Sequence, residues 1–241
     1  MRAHGVVSQY KPLVAAPPVV DDTVLFLCSF EGGNGDTSAT DDSTYAHPIT
    51  FLSQAQISTA QVKFGSSSLE VSTGGGSSGV TIPDHAVFDF GSNPFTVEGF
   101  VRPNSVVVSQ VLAAQADFAG TDVAWQVSLS GANFRFFYTV DGTTYVQATN
   151  FAHGMSAGSS FYHWAVARHS DNILRAFIDG VLKATVDLTG ITFHNSSQVI
   201  SFGSLAGGSL FTKGFHDEIR VLNYAAYTAA FTPPSSPFPR P

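Results

Sequence analysis

The chain has 241 residues, 44% hydrophobic and only 12% charged, which is enough for one large domain with a sizeable core. Its net charge is −7, and its 11 Lys and Arg residues are scattered along the sequence. Nucleic-acid binding is excluded because it needs a concentrated basic surface. No apolar run approaches the ~20 residues of a membrane span, so no contact with a membrane is expected.

The first 21 residues predict an extended arm. Pro12, Pro17 and Pro18 exclude helix and favour a polyproline conformation. These prolines and Lys11 also interrupt the apolar stretch of a signal peptide, so we expect synthesis in the cytoplasm without Sec-dependent export. Such an arm is either disordered or laid on a partner, and in the second case Tyr10 and the three prolines are the predicted anchors.

The end of the sequence has the same character as the arm. Residues 232–241, TPPSSPFPRP, predict a Pro-rich tail. A single domain is therefore predicted between arm and tail, over residues 22–231.

Short strands dominate this domain. VLFLCSF (24–30) predicts a buried strand and FTVEGFVR (95–102) an alternating one. Helical periodicity is almost absent, and only 83–90 and 223–231 suit a short turn or helix. Many strands without intervening helices predict an all-β, antiparallel two-sheet jelly-roll sandwich.

Two Asp-Gly pairs predict tight hairpins. Asp141-Gly142 follows NFRFFYTV, and Asp179-Gly180 follows ILRAFI. This pair suits type I′ turns between antiparallel strands. Two glycine motifs, 74–79 (G-x-G-x-x-G) and 154–158 (G-x-S-x-G), are each followed by a strand instead of the helix that their chemistry requires, so both are predicted to be loops.

Asp217 and Glu218 are adjacent carboxylates in GFHDEIRVL, a pattern that invites a catalytic interpretation. Side chains alternate along a strand, so the two acids should point to opposite faces. A glycosidase pair must flank one bond from the same side, ~5–10 Å apart. We therefore predict structural roles, with Glu218 and Arg220 forming an exposed ion pair. A hydrolase using Glu98 or Glu218 with an acid from elsewhere remains the alternative.

Exposed aromatic side chains are candidates for stacking on sugars. Trp125 shares a face with Val127 and Leu129 and is predicted to lie in the core. Tyr145, beside the Asp141-Gly142 turn, and Trp164 are the predicted carbohydrate-binding residues.

The acidic loop EGGNGDTSATDDST is a candidate metal site. Asp36, Asp41 and Asp42 offer the oxygen ligands that calcium prefers, although their spacing is not that of an EF-hand. A solvated loop without metal remains open, and no cofactor is required. His163 and His169 lie on one strand ~20 Å apart, too far to share a metal, and are predicted to be packed and exposed, respectively.

Four stretches together resemble the concanavalin A-like, laminin-G-like jelly-roll superfamily. They are KFGSSSLEV (63–71), FTVEGFVRP (95–103), FYHWAVARHSDNILRAFIDGVL (161–182) and GFHDEIRVLNYAAY (214–227). The resemblance covers about residues 23–231 and implies that Asp217, Glu218 and Arg220 are fold markers of the closing strand. Enzymatic members carry a Glu-x-Asp-x-Glu type strand that this chain lacks, so the resemblance implies a protein without catalytic activity. His216 stands where the family commonly has Ile and is expected to be exposed or to face a partner.

More narrowly, 57–71, 82–103 and 227–239 are similar to jelly-roll proteins of tailed bacteriophages, in which the ending Tyr-Thr-x-x-Phe-Thr-Pro-Pro recurs. This similarity implies a virion surface protein (capsid decoration, head fibre or tail-associated) whose arm binds other virion proteins and whose domain adheres to host or environmental glycans. The alternatives are a purely structural decoration protein and a bacterial adhesin module. Homo-oligomerisation fits the polar, low-charge surface.

Overall fold

A computed structural model of the protein describes residues 23–71, 78–207 and 210–241. Within these ranges the only helix is a short 3-10 turn, Ala86–Phe88, in the segment predicted to suit one. None of the described helices could cross a membrane. The predicted arm, with Tyr10, Pro12, Pro17 and Pro18, lies outside the described residues.

Strands form almost all of the regular structure. In chain order they are β1 (Val24–Cys28), β2 (Thr50–Leu52), β3 (Gln56–Ser58), β4 (Ser68–Val71), β5 (Gly79–Ile82), β6 (Phe95–Pro103), β7 (Gln110–Ala116), β8 (Val123–Ser130), β9 (Asn133–Tyr138), β10 (Val146–Ala152), β11 (Tyr162–Arg168), β12 (Ile173–Ile178), β13 (Val181–Asp187), β14 (Ile200–Phe202) and β15 (Gly214–Leu222).

These strands form two antiparallel sheets, which confirms the predicted all-β jelly-roll sandwich. The eight-stranded sheet has the order β13-β12-β11-β6-β15-β4-β3, and β1 also pairs with β15. The seven-stranded sheet has the order β10-β9-β8-β7-β14-β5-β2. Sequence-distant strands such as β6 and β15 are therefore neighbours.

The main core fills the space between the sheets. Alternate residues of β8 and β9, including Trp125 and Phe136, point inward and are fully buried, as the alternation predicts. Phe26 of β1 stacks on Phe202 of β14 with ring centroids 4.9 Å apart, so the rings join the two sheets. Each fully buried aromatic of this kind stabilises the fold by about 2–3 kcal/mol.

The two Asp-Gly pairs behave differently. Asp179-Gly180 forms the predicted two-residue turn between β12 and β13, with φ of 47° and 72°. Asp141-Gly142 instead lies inside a longer loop, residues 139–145. The carboxylate of Asp141 accepts hydrogen bonds from the backbone N–H groups of Thr143 (2.9 Å) and Thr144 (2.7 Å), which folds the loop back on itself. Tyr145 follows directly after this turn.

The C-terminal segment belongs to the domain, contrary to the predicted boundary at residue 231. Phe238 is buried on the outer face of the eight-stranded sheet, against Leu27 and Phe100. Phe231 stacks on Tyr227 at 3.6 Å. No helix forms over 223–231. The segment is held because it covers apolar side chains of the sheet that would otherwise face water.

Candidate functional site

The adjacent acids of β15 lie on the same side of the eight-stranded sheet, so the prediction of opposite faces is wrong. β15 pairs with β4 up to His216 and with β1 from Ile219 onward, and its register against β6 shifts between Asp217 and Arg220. Glu218 has φ of 48° at this point. The extra residue of a β-bulge breaks the alternation and turns both carboxylates outward.

Both carboxylates are held by the covering segments. Asp217 Oδ2 accepts hydrogen bonds from the backbone N–H groups of Lys63 (2.9 Å) and Phe64 (3.1 Å). Glu218 accepts from the N–H of Phe238 (2.8 Å) and from Arg240 Nη2 (3.0 Å). The cation of Glu218 is therefore Arg240, and the predicted exposed pair with Arg220 does not form.

Arg220 instead binds Glu98 in a buried cluster. Oε1 of Glu98 accepts a hydrogen bond from Arg220 Nε (2.9 Å). Oε2 accepts one from the Tyr227 hydroxyl (2.8 Å) and lies 3.0 Å from His163 Nε2. Burial would raise the pKa of Glu98, but the hydrogen bond to His163 and the charge of Arg220 hold it below its usual value. The rings of Phe231 and Phe238 flank His163, and both His163 and Glu98 are 0% exposed. His163 is packed and His169 partly exposed, as predicted.

His216 is buried, contrary to the expectation that it is exposed or faces a partner. It is 0% exposed, and neither ring nitrogen has a hydrogen-bond partner. It lies beside Gly203, where an added Cβ would be 3.5 Å from its Nε2. Burial lowers its pKa to about 3, so it is neutral in the folded protein.

The acidic loop does not gather its carboxylates around a shared site. Asp41 is buried and accepts hydrogen bonds from the N–H groups of Leu27 and His47, Asp42 pairs with Arg240 at 3.3 Å, and Asp36 caps the N–H of Gly33. Among the described residues, no group of three or more His, Cys, Asp or Glu side chains could hold a metal. The calcium interpretation of Asp36, Asp41 and Asp42 is therefore corrected to three separate structural roles.

The two predicted sugar-stacking residues have different fates. Trp164 is 0% exposed and belongs to the core between the sheets, so it cannot contact a ligand and its prediction is wrong. Tyr145 is 41% exposed. Its ring packs edge-on against Phe137 with centroids 6.0 Å apart, at one end of the seven-stranded sheet.

Tyr145 borders a surface that we call the open face. It is the outer side of β8, β9 and β10, where the register aligns two rows of side chains: Gln126, Phe137 and Gln147 in one, and Ser128, Arg135 and Asn150 in the other. Side chains directly opposite each other on one face are about 5 Å apart. The six side chains therefore form one continuous surface.

The polar side chains of the open face have no partners within the protein. Those of Gln126, Ser128, Arg135, Gln147 and Asn150 make no hydrogen bond or ion pair to any described residue. By contrast, other surface groups such as Asp122, which binds His194 and Ser197, are saturated. Unused donors and acceptors gathered beside an aromatic ring are what a polar ligand requires.

A wall and a rim bound the open face. On the β7 side, Leu205 and Leu210 pack over Val111 and Ala114 and cover the adjoining strand. At the loop end, Phe118 is 53% exposed beside the loop that carries Tyr145. Gln126 and Ser128 are accordingly largely buried (9% and 5% exposed), whereas Gln147 and Asn150 on the edge strand are exposed. The open face is therefore bordered by a covered strand on one side and has aromatic side chains at its loop end.

A depression of about 420 Å³ lies at the opposite end of β9, between Val107, Gly131 and Met155. Its only polar side chain is His153. Both ring nitrogens of His153 are engaged, by the carbonyl of Gly131 (3.0 Å) and the N–H of Met155 (2.8 Å). This depression offers little to a hydroxylated ligand, so the open face is the better candidate site.

Sequence reasoning found Tyr145 and missed the rest of the open face. The signal was present, because polar residues alternate with the core residues Trp125, Val127 and Phe136 along β8 and β9. That alternation shows only which face is solvated. Whether the polar side chains on that face find partners depends on β10, and only the pairing of β10 with β9 in the folded sheet shows which residues lie beside them.

The protein is thus a two-sheet jelly-roll sandwich with a polar open face on the outer side of one sheet. The chain belongs to the concanavalin A-like lectin/glucanases superfamily, whose laminin-G-like family model matches residues 74–230. A search of curated protein sequences gave no match.

Solved structures similar to this chain include binding domains of toxins. They are those of botulinum neurotoxin serotype G (TM-score 0.64, 14% identity, 85% of this chain and 48% of that chain) and of Paraclostridial Mosquitocidal Protein 1 (0.65, 13%, 86% and 50%). A third is that of botulinum neurotoxin DC in complex with SialylT (0.66, 12%, 86% and 50%). The chain spans about half the length of these proteins, and at this identity the likeness shows the fold.

Proposed function

We propose that this protein is a non-catalytic glycan-binding module whose ligand lies on the open face. The observation that carries the proposal is the set of five unpaired polar side chains beside Phe137 and Tyr145. Sugars present hydroxyl groups, which need paired donors and acceptors, and apolar C–H faces, which pack on aromatic rings. Amide side chains from Gln126, Gln147 and Asn150 supply both donors and acceptors at once.

A role without catalysis is supported by the burial and pairing of the two candidate catalytic acids, Glu98 and Glu218. Glu98 and Glu218 are at most 1% exposed and are bound to Arg220 and Arg240. On the open face itself there is no carboxylate to act as acid or base. The similar solved structures named above are likewise binding domains.

Glycan binding can be tested with a matched pair of tyrosines. Tyr145 borders the open face, whereas Tyr224, with 43% exposure against 41%, follows β15 on the other sheet. We expect the full chain to bind members of a broad glycan array and Tyr145→Ala to weaken binding about tenfold, as lost stacking predicts. Tyr224→Ala should leave binding unchanged. Equal losses in both variants, or no binding by the natural chain, would refute the proposal.

A protein ligand is the competing class. The binding domain of botulinum neurotoxin DC has also been solved in complex with rat synaptotagmin II. The aromatic rim with Phe118 would suit an apolar contact on a protein. Binding to a host surface that survives complete removal of its glycans would favour that class over a glycan.

The setting that we propose is the surface of a tailed-phage virion. Its support is the sequence similarity of 57–71, 82–103 and 227–239, and the Pro-containing arm over 1–21 as an anchor to other virion proteins. Deleting residues 1–21 should abolish incorporation into particles while the purified domain keeps its glycan affinity. Incorporation without glycan affinity in the natural chain would instead favour a purely structural decoration protein.

A further inference from the structure

We infer that Arg135 makes the open face selective for glycans that carry a carboxylate, a refinement that rests on the proposed function. Arg135 occupies the middle of this surface, on β9, and its guanidinium has no acceptor within the described chain. Its Nε is also buried without a hydrogen-bond partner. A donor in that position, withdrawn from water and unpaired, gains free energy when a ligand supplies the missing acceptor.

The other arginines of the described chain each have acceptors inside the protein. Arg102 binds Asn104, Arg168 binds the carbonyls of Gly91, Leu188 and Ile191, Arg175 binds Asp171, Arg220 binds Glu98, and Arg240 binds Glu218. The chain thus uses arginine mainly as an internal cross-link. Arg135 departs from this use and is the guanidinium left for an external partner.

The neighbours of Arg135 suit an acidic sugar. Ser128 and Asn150 stand directly across from it on the two flanking strands, so a hydroxyl and an amide lie beside the guanidinium. Phe137 follows on the same strand and face, about 7 Å along. A sugar ring packed on Phe137 could direct its carboxylate at Arg135, whose planar fork matches a carboxylate with two parallel hydrogen bonds.

The charge of the rest of the molecule cannot produce such a preference. The chain carries a net charge of −7, which repels acidic glycans at long range. The carboxylates nearest the aromatic rim, Asp117 and Asp141, already accept hydrogen bonds from their own loops. Selectivity for an anion must therefore come from a local cation, and Arg135 is the one that the open face contains.

The test compares carboxylated glycans with their neutral counterparts. Galacturonate-, glucuronate- and nonulosonate-containing glycans, each paired with its methyl ester, and a sulfated set are titrated against the full chain. We expect at least one free acid to bind about tenfold or more tightly than its ester, in line with a charged hydrogen-bonded pair. Arg135→Gln should remove this preference, and Arg135→Lys should restore only part of it because the fork is lost.

Arg175→Gln is the matched control, since it removes one positive charge from the other sheet. It should keep the preference, and unchanged melting of Arg135→Gln will show that the fold is intact. Equal binding of acid and ester, equal binding of sulfated and carboxylated glycans, or a preference that survives Arg135→Gln overturns the inference. Neutral glycans bound equally well and lost in Tyr145→Ala would leave the proposed function standing, whereas no binding in any arm would remove both.

Discussion

His216 and Asp217 are adjacent and buried, and their pKa values are shifted in opposite directions. Their effects on the pH dependence of the free energy of unfolding should therefore cancel in the natural protein. Burial raises the pKa of Asp217 to about 7 from 3.8, and burial lowers the pKa of His216 to about 3 from 6.5. Two backbone hydrogen bonds to Oδ2 of Asp217 oppose the effect of burial on its pKa but do not outweigh it, and Oδ1 has no partner. Neither ring nitrogen of His216 has a partner, so nothing opposes the effect of burial on its pKa.

The direction of each effect follows from proton binding. Between pH 3.8 and 7 the folded state keeps the proton of Asp217 that the unfolded state has released, so the free energy of unfolding falls as pH rises. Between pH 6.5 and 3 the unfolded state protonates His216 and the folded state does not, so the free energy of unfolding falls as pH falls. Each slope is about 1.4 kcal/mol per pH unit, and they oppose each other in the shared window.

Single substitutions should expose the two slopes. Asp217→Asn keeps an acceptor for the N–H groups of Lys63 and Phe64 but removes the titration. Relative to the natural protein it should gain up to about 3 kcal/mol of stability between pH 4.5 and 7. As the pH is lowered from 6.5 to 4.5, His216→Leu should gain up to about 3 kcal/mol of stability relative to the natural protein.

Urea denaturation at half-unit steps of pH measures both differences. The double variant provides the control, because in the shared window its stability should run parallel to that of the natural protein. Differences that do not change with pH, or that have the same sign in both single variants, would refute the assignment of a protonated Asp217 and a neutral His216.

The remaining predictions concern the covering segment, a turn and the acidic loop. Phe238→Ala should lower the free energy of unfolding by about 3–4 kcal/mol in urea denaturation, as a lost buried aromatic does, and a loss below about 1 kcal/mol would show that the segment is not docked. Gly180→Ala should cost clearly more stability than Gly131→Ala, although both have positive φ. An added Cβ at Gly180 would overlap the carbonyl oxygen of Phe231, whereas one at Gly131 would meet nothing within 4 Å. Equal losses would contradict that contact. Asp41→Ala should destabilise by about 2–4 kcal/mol through orphaned buried N–H groups, and millimolar calcium should not shift the melting temperature of the natural protein; a clear upward shift would reinstate a metal site in the loop.

Short sequence patterns predicted the fold better than they predicted the candidate site. Alternation placed Trp125 in the core because β8 keeps its pleat through that residue, and the pair Asp179-Gly180 specified its own turn. The same rule failed at Asp217 and Glu218. The bulge there arises where β15 exchanges one neighbouring strand for another, a property of the topology that no short window of sequence contains.

The site was harder to predict because its defining property is an absence of pairing. Arg135 reads as an ordinary polar residue in an alternating strand, and Trp164 as an aromatic in a strand of unknown facing. Exposure of Tyr145 was predictable from its place next to an Asp-Gly pair. That Arg135 finds no acceptor, while Glu98 finds three partners, became visible only when distant strands were placed side by side.

The placement of β15 also constrains when the molecule can fold. This strand lies at the centre of its sheet, between β6 on one side and β1 and β4 on the other. Strands that come early in the sequence therefore pair with one that comes near its end. A nascent chain emerging from the ribosome must carry β1, β4 and β6 without their shared neighbour until residues 214–222 have been synthesised. Sheets dominated by such long-range pairing fold slowly and expose unpaired edges meanwhile, so we expect the growing chain to depend on chaperones.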